Sequence, residues 1–404
     1  MNYPVTVLSV AYFIISTLLL PLMVQAFSCL VAWIISLISS KMRNKNIITM
    51  VVSLLFLAAY FYLYSKMGDI ISGLIANGTA ITVAFKKYAF PAYYFGVGIA
   101  EHNLTYLLLY TVCTLAVFEL VYAILSRSFR QITTAKKGTA RIKYKERSMH
   151  VSSPAAALLR KDFRHFIGNP MYVLNAWMGE ILLVVACVAM LIKKDILTEF
   201  LPILNGEGEI MGLILCVILC GLSCTNLITA PSISLEGKNL WIAQSIPVPA
   251  GVVLRAKVKL QMLLCIPITA LSALLMGIVL KLELLTLVLA VLVPAAFNLF
   301  TALLGVVVNL HFPKFDYINE TVVIKQSMST MICMFGSMAV VLVLALLYAL
   351  LLSASVAPTL FLAVCLVLLV IVCVLMWRYL GHGGSARFAA LQACLLYTSP
   401  SPRD

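Results

Sequence analysis

The sequence predicts an all-α polytopic membrane protein with nine to ten transmembrane helices, and three observations predict it. Of the 404 residues, 63% are hydrophobic and only 11% are charged, and the mean hydropathy is +1.05. A soluble globular protein is roughly half apolar and about a quarter charged. Several uncharged stretches reach the ~20 residues that a helix needs to cross a bilayer, and lysines and arginines gather at their ends. An amphipathic cytoplasmic helix is expected before a six-span core.

The first predicted region, residues 1–126, is an N-terminal transmembrane region. Residues 3–40 carry no charge and exceed the length of one crossing, with Pro21 near their middle. They form either a tight helical hairpin, which we favour, or one long kinked helix. A span at 47–65 follows, then a semi-apolar outer segment at 66–103 that lies in the interface or dips into the membrane, and a return span at 106–125. The abrupt N-terminus suggests a truncated start.

A basic cytoplasmic linker is predicted at 127–153, and a helix should follow it. Ser153 suits an N-cap, and Pro154 suits the first helical position. Leu159, Phe163, Phe166 and Ile167 then form one face, with Arg160, Lys161 and Arg164 opposite. Such a helix should lie along the membrane surface with its apolar side down.

Residues 154–391 complete this helix and a core of six spans, predicted at 172–192, 210–229, 261–280, 284–308, 331–352 and 358–377. Positive residues concentrate in alternate links, which orients those links and the C-terminus toward the cytoplasm of an inner (plasma) membrane. The net charge of +14 is therefore a topology signal, and no nucleic-acid partner is expected. Residues 392–404 read as a non-native tail.

No motif for catalysis, cofactor binding or metal ligation is found. The sequence contains no G-x-x-x-x-G-K-[ST] phosphate loop, no H-E-x-x-H and no G-x-S-x-G. The eleven cysteines lie almost entirely in apolar runs, and a stripe at Cys216, Cys220 and Cys224 is expected to pack as small hydrophobic side chains. We therefore predict no catalytic, cofactor-binding or metal-ligating residue.

Two acids inside predicted spans form a candidate intramembrane polar site. Glu180 lies about two turns into its span, and Glu119 about two turns before the end of its own. An ionisable group in hydrocarbon costs roughly 2.5–3.5 kcal/mol on insertion scales, so each should face protein or water. The alternatives are a substrate or proton contact, snorkelling to the surface, and a hydrogen bond to a neighbouring helix.

The long polar stretch at 231–259 is the most informative loop. It combines a charged turn with an apolar face at Leu240, Trp241 and Ile246. A simple connection needs only a few residues, so this loop is expected to dock on another molecule. A headgroup anchor is the competing interpretation of Trp241.

Three stretches resemble the permease (membrane) subunit of bacterial type-two ABC exporters. The similar segments are 158–163 (LLRKDF) with 169–175 (NPMYVLN), 232–241 (SISLEGKNLW) with 246–248 (IPV), and 312–316 (FPKFD) with 324–326 (IKQ). The resemblance covers about 155–391. The short link at 353–357 departs from the family, whose members often have re-entrant helices there.

The resemblance implies a transmembrane permease that forms the substrate pathway, with the surface helix as connecting helix. Residues 236–246 would be a coupling helix seated on a separate ABC ATPase (nucleotide-binding) subunit. That partner would bind ATP and Mg, so this chain would hold no cofactor and would not be an enzyme. The lipid bilayer and a second permease copy complete the expected partners. The implied coupling residues are Leu235, Glu236, Gly237, Lys238 and Trp241.

Two alternatives stay open at this point. An ion-coupled secondary transporter would favour acids near the bilayer midplane, and Glu180 with Pro294 supports it. A non-transporting membrane scaffold would need no such residues.

Overall fold

The computed structural model describes residues 7–40, 45–76, 86–87, 90–134, 152–192, 208–353 and 355–391. It forms two compact units, Met1–Arg147 and Ser148–Asp404. The regular elements of the described residues are all helices, and a single isolated bridge joins Trp177 to Asn226. The predicted all-α polytopic fold is confirmed.

Six helices of the described residues are long and apolar enough to span a membrane, which makes this a membrane protein. A bent pair, Thr49–Ser65 with Met67–Gly73, and two shorter apolar helices, Met178–Ile192 and Gly208–Ser223, add further apolar segments. Counting the bent pair as one span gives seven, and the two shorter helices would bring the total to nine.

The first unit contains α1 (Val7–Ser40), α2 (Lys45–Ser65), α3 (Met67–Ala76), α4 (Phe90–Ala100) and α5 (Leu104–Thr134). Helix α5 packs against α1 and α4. The Tyr110 hydroxyl donates to the Ser16 carbonyl at 3.4 Å, and the Phe95 and Tyr110 rings lie 5.5 Å apart. The predicted outer segment is helical where it is described, as α3 and α4, and 77–85 and 88–89 lie outside the described residues.

The hairpin favoured for residues 3–40 is wrong, because α1 is one helix with Pro21 inside it. Proline removes one backbone hydrogen bond. In an apolar setting every other backbone group gains by staying in the helix, so a single proline does not force a reversal. Most of the predicted basic linker lies outside the described residues, as does the tail at 392–404.

The second unit begins with the surface helix and continues through the predicted core. Its helices are α6 (Pro154–Gly168), α7 (Pro170–Ala176), α8 (Met178–Ile192), α9 (Gly208–Ser223), α10 (Leu240–Ser245), α11 (Ala250–Val279), α12 (Leu284–His311), α13 (Glu320–Gln326), α14 (Met328–Leu347), α15 (Pro358–Gly381) and α16 (Gly383–Ala390). A 3₁₀ segment, Ser234–Asn239, precedes α10. Helices α11 and α12 are central, and α12 packs against α9, α14 and α15.

The start of α6 follows the predicted cap. Ser153 Oγ accepts a hydrogen bond from the Ala156 N–H at 3.3 Å, and Pro154 is the first helical residue. The helix packs against α11, with Leu158 and Phe166 buried and Ile167 exposed. Phe166 was predicted on the apolar face, whereas Leu158 was not.

Two predicted spans are broken in the structure. The span at 172–192 is interrupted at Trp177, between α7 and α8, and the span at 210–229 leaves the helix after Ser223. The breaks face each other, because the Leu227 N–H donates to the Ala176 carbonyl at 2.8 Å. Gly179 permits this approach, since a Cβ there would lie 2.1 Å from the Leu222 carbonyl oxygen. The predicted loop at 231–259 is also shorter, because α11 already begins at Ala250.

Candidate functional site

Four charged side chains meet beside the start of α11, and we call them the ionic cluster: Lys161, Asp162, Glu236 and Lys257. Glu236 Oε1 accepts from Lys161 Nζ at 2.6 Å and from Lys257 Nζ at 2.8 Å. Asp162 Oδ1 lies 3.5 Å from Lys161 Nζ, and Oδ2 lies 3.5 Å from Lys257 Nζ. The cluster therefore ties together α6, the 3₁₀ segment and α11.

The ion pairs of the ionic cluster are largely enclosed by protein. The exposed fraction is 3% for the Lys257 side chain, 12% for Asp162 and 14% for Glu236. Burial alone would raise the pKa of Glu236, but the nearby Lys257 and Lys161 outweigh it, and the pKa falls from 4.5 to about 2. Glu236 is therefore ionised at neutral pH. Removing one member of such a buried pair leaves an uncompensated charge, so the three elements are held together as a unit.

A buried asparagine on α12 shapes the turn that precedes Glu236. Asn309 Oδ1 accepts from the N–H groups of Ile233 and Ser234 at 2.8 and 3.1 Å. Its Nδ2 donates to Ser234 Oγ at 2.7 Å and to Ser329 Oγ at 3.0 Å. These bonds satisfy backbone groups that would otherwise be buried and unpaired, and they fix the direction in which Glu236 leaves the bundle.

Gly237 completes the same turn. Its φ of +52° is a conformation that residues with a Cβ rarely adopt. Tyr317 covers the turn, and its hydroxyl donates to the Leu235 carbonyl at 3.2 Å. A Cβ at position 237 would lie 2.8 Å from that hydroxyl oxygen. Backbone conformation and close packing therefore both require glycine here.

Helix α10 presents an apolar surface next to the ionic cluster. Leu240 and Ala243 are buried beneath it, whereas Trp241 is 62% exposed and Ile242 46% exposed. Gln244 Nε2 anchors the far side of the helix by donating to the carbonyls of Phe388 and Leu391 at 2.9 and 2.8 Å. We call Lys238, Trp241 and Ile242, all exposed, the docking surface.

A second group of buried side chains lies where the two helix breaks meet, and we call it the polar cluster: Glu180, Asn226, Thr269 and Asn298. Glu180 Oε1 accepts from Asn226 Nδ2 and Thr269 Oγ1, each at 2.8 Å. Asn298 Nδ2 donates to Thr269 Oγ1 at 2.9 Å. Glu180 Oε2 is buried with no hydrogen-bond partner among the described residues. Glu180 therefore faces protein, and its partners are all neutral.

Helix α11 connects the two clusters along one face. Lys257 bonds the ionic cluster, and four residues later Gln261 bonds the broken segment, with Oε1 accepting from the Thr229 N–H at 3.0 Å. Gln261 Nε2 donates to the Asn226 carbonyl at 2.9 Å, and eight residues further along, Thr269 reaches Glu180. Twelve residues of helix span about 18 Å. The same helix therefore contributes side chains to both clusters.

The structure separates the predicted site residues into distinct roles. Glu236 is in the ionic cluster, and Trp241 and Lys238 are on the docking surface, whereas Leu235 and Gly237 are buried. Glu180 is in the polar cluster. Glu119 lies in the first unit, on the exposed side of α5.

Sequence reasoning missed most partners of these residues. Asp162, Lys257 and Asn309 were not singled out. The signal that could have found the connection is the spacing of Lys257, Gln261 and Thr269, which places three polar side chains on one helical face.

The described residues include no group of three or more His, Cys, Asp or Glu side chains placed to hold a metal ion. Cys216 and Cys220 are buried in the apolar core. The arrangement offers ion pairs, an exposed apolar helix and a hydrogen-bonded interior.

Comparison with family models gives a match over residues 15–378 to the family described as "Putative ATP-binding cassette". Comparison with curated proteins gave no match, and neither did comparison with solved structures. The match reaches from within α1 to the last turn of α15 and so includes parts of both units.

The family description corrects the function expected from sequence. It names an ATP-binding cassette, so the assignment as permease subunit of a type-two ABC exporter is wrong, as is the confinement of ATP and Mg to a partner. The match does not support an ion-coupled transporter or a scaffold either. The resemblance was carried by three short stretches, at 158–175, 232–248 and 312–326, whereas the family match extends over 15–378.

The phosphate-loop motif is nevertheless missing from all 404 residues, so any nucleotide contact of this chain uses other residues. The matched span is far more than half of the sequence and contains both clusters and the docking surface. The chain belongs to the ATP-binding cassette family that this match describes.

Proposed function

We propose that this chain is a membrane-spanning component of an ABC transport system, and that its docking surface binds an ABC ATPase subunit. The observation that carries the proposal is the pair of bonds from Lys161 and Lys257 to Glu236, five residues before the exposed Trp241. An exposed tryptophan is a typical anchor of protein interfaces. Here it stands on an element that is ionically fixed to a central helix.

The proposed mechanism transmits movement from the docking surface to the membrane interior. A partner that shifts α10 and the 3₁₀ segment pulls on Glu236, and Lys257 passes the displacement to α11. Gln261 and Thr269 then act on the broken segments around Glu180. Packed elements tend to switch between discrete arrangements instead of deforming continuously, so a small shift at the surface would rearrange the polar cluster.

We also propose which side of the membrane the docking surface faces. The docking surface and the C-terminus face the cytoplasm of the inner membrane, since the ends of α11 and α15 nearest to them carry Arg255, Lys259 and Arg378. Cytoplasmic ends of spans are enriched in such residues. Cysteine labelling from either side of sealed vesicles, at Lys238→Cys and Lys281→Cys, would report which end faces outward.

The direct test uses the double variant Glu236→Lys/Trp241→Ala in the full chain, with Glu283→Lys as a matched charge reversal at an exposed site. We expect normal membrane insertion of all proteins. We expect ATP hydrolysis by the detergent-solubilised assembly to fall at least tenfold in the double variant only. Unchanged hydrolysis in the double variant would contradict the proposal.

The proposal does not confine ATP to the partner, because the family is that of an ATP-binding cassette. Photolabelling of the purified chain with an azido-ATP analogue, with and without the co-purifying partner, assigns the nucleotide. The proposal is supported if the azido-ATP label appears on the partner protein and if that partner no longer co-purifies when Trp241 is replaced. The mass of the assembly in detergent would also give the number of copies of this chain. A second copy was the other partner that the sequence predicted.

A further inference from the structure

An apolar groove runs between α12 and α15 in the second unit. Its wall is lined by side chains of both helices, and it offers about 590 Å³ of empty space counting its open side. The lining residues are Ala296, Leu299, Leu303, Val370, Val374 and Trp377. Both helices belong to the set long enough to span a membrane, so the groove opens along the part of the surface that faces lipid chains.

One end of this groove is positively charged. Arg378 lines it in the last turn of α15 and is exposed. The guanidinium of Arg255 lies 5.0 Å from the ring centre of Trp377, another lining residue. Arg255 Nε is buried with no hydrogen-bond partner among the described residues. In the described part of the chain neither arginine is paired with a carboxylate within salt-bridge distance.

We infer that this groove is a binding site for an anionic phospholipid, with one acyl chain between α12 and α15 and the phosphate on Arg378 and Arg255. Val370 and Arg378 are eight residues apart, or about 12 Å along the helix, so the apolar part is long enough for most of an acyl chain. Basic side chains between spans at a cytoplasmic surface are the recognised chemistry for acidic headgroups. Tryptophan is also typical of the headgroup level.

Charge complementarity decides the occupant. A zwitterionic lipid, or an apolar helix of another protein, would leave both guanidinium groups without a net counter-charge. A phosphate offers several acceptor oxygens to both groups, and arginine suits that geometry. The site is independent of the proposed ATPase docking, since none of its lining residues is in the docking surface or in either cluster.

The test is native mass spectrometry of the full chain, titrated with phosphatidylglycerol or with phosphatidylcholine of the same acyl chains. We expect tighter retention of phosphatidylglycerol, reduced about fivefold for each arginine removed in Arg255→Gln and Arg378→Gln. Lys325→Gln, which removes an exposed charge away from the groove, should leave retention unchanged. Equal retention of both lipids by the unaltered protein would overturn the proposal.

A second pair of variants tests the groove itself without changing charge. Ala296→Phe fills it, whereas Ala295→Phe places the same ring on the same helix at a residue that does not line it. Loss of phosphatidylglycerol retention in the first variant only supports the site. Equal effects of the two, or full competition by soluble glycerol phosphate, would mean that the acyl chain is not held there and would overturn it.

Discussion

The ionic cluster and the polar cluster both join separate chain segments, but they do so with different kinds of bonds. Each holds three or more chain segments together at a buried point, and α11 contributes to both. The ionic cluster uses full charges, with two lysines against Glu236 and Asp162. The polar cluster surrounds its one acid, Glu180, with amides and hydroxyls.

The difference has energetic consequences. A hydrogen bond contributes about 1 kcal/mol between neutral groups and about 1.5–3 kcal/mol to a charged one, so the polar cluster can exchange partners at a lower cost than the ionic cluster. A buried ion pair that loses one member costs several kcal/mol, so the ionic cluster should stay assembled. The stiffer connection therefore lies beside the docking surface, and the more adaptable one lies where the helices are already broken.

The largest expected change in the free energy of unfolding is at Lys257. Lys257→Met removes the most buried cation and leaves Glu236 and Asp162 facing each other beside Lys161 alone. Unfolding free energy, measured in detergent with a denaturant series, should fall by about 3–5 kcal/mol. Lys259→Met, an exposed lysine two residues along the same helix, should change it by less than about 0.5 kcal/mol. Equal losses would show that the cluster is not what stabilises this end of α11.

The next effect is a dependence of stability on pH. The pKa of Glu236 is about 2 in the folded protein, below its ordinary 4.5, so the stabilisation is complete above pH 4.5. It is lost as pH falls toward 2, by on the order of 3 kcal/mol. Denaturation between pH 2 and 6 should show this fall, and Glu236→Gln should remove it while Glu283→Gln preserves it. The same acid profile in Glu236→Gln would be inconsistent with this account.

A smaller loss is expected in the polar cluster. Asn298→Leu removes the amide that bonds Thr269 Oγ1 and Ser223 Oγ, and the unfolding free energy should drop by about 1–3 kcal/mol. Asn239→Ala, at an exposed residue without a capping hydrogen bond, serves as its control. A loss as large as that of Lys257→Met would erase the proposed contrast between the clusters.

The smallest expected loss of stability is at the turn between the ionic cluster and the docking surface. Gly237→Ala forces a Cβ into a positive φ and toward the Tyr317 hydroxyl, at a cost of roughly 1–2 kcal/mol. Adding Tyr317→Phe should recover the steric part and leave the backbone part. Thermal unfolding of the single and double variants checks this. No recovery would mean that the Tyr317 contact is unimportant.

Hydropathy was enough to predict the helical membrane fold, and the Ser153–Pro154 pair was enough to place the start of α6. The breaks at Trp177 and after Ser223 were not predictable in the same way, because the apolar runs that precede and follow them concealed the short polar stretches at 175–180 and 223–229. Gly179 lets them cross, yet its role depends on Leu222, which is distant in sequence. Glu236 and Trp241 were identified from the loop, whereas their partners Lys161 and Lys257 required the fold.

The central claim is that Trp241 stands at the surface where an ATP-binding partner docks. The most direct measurement is photo-crosslinking of the full chain in native membranes with p-benzoylphenylalanine at position 241, and in parallel at Leu284, which is 78% exposed near the other end of α11. The account predicts a crosslinked polypeptide from position 241 that also takes up an azido-ATP label, and none from position 284. Capture of no nucleotide-labelled chain at 241, or of the same chain at both positions, would contradict it.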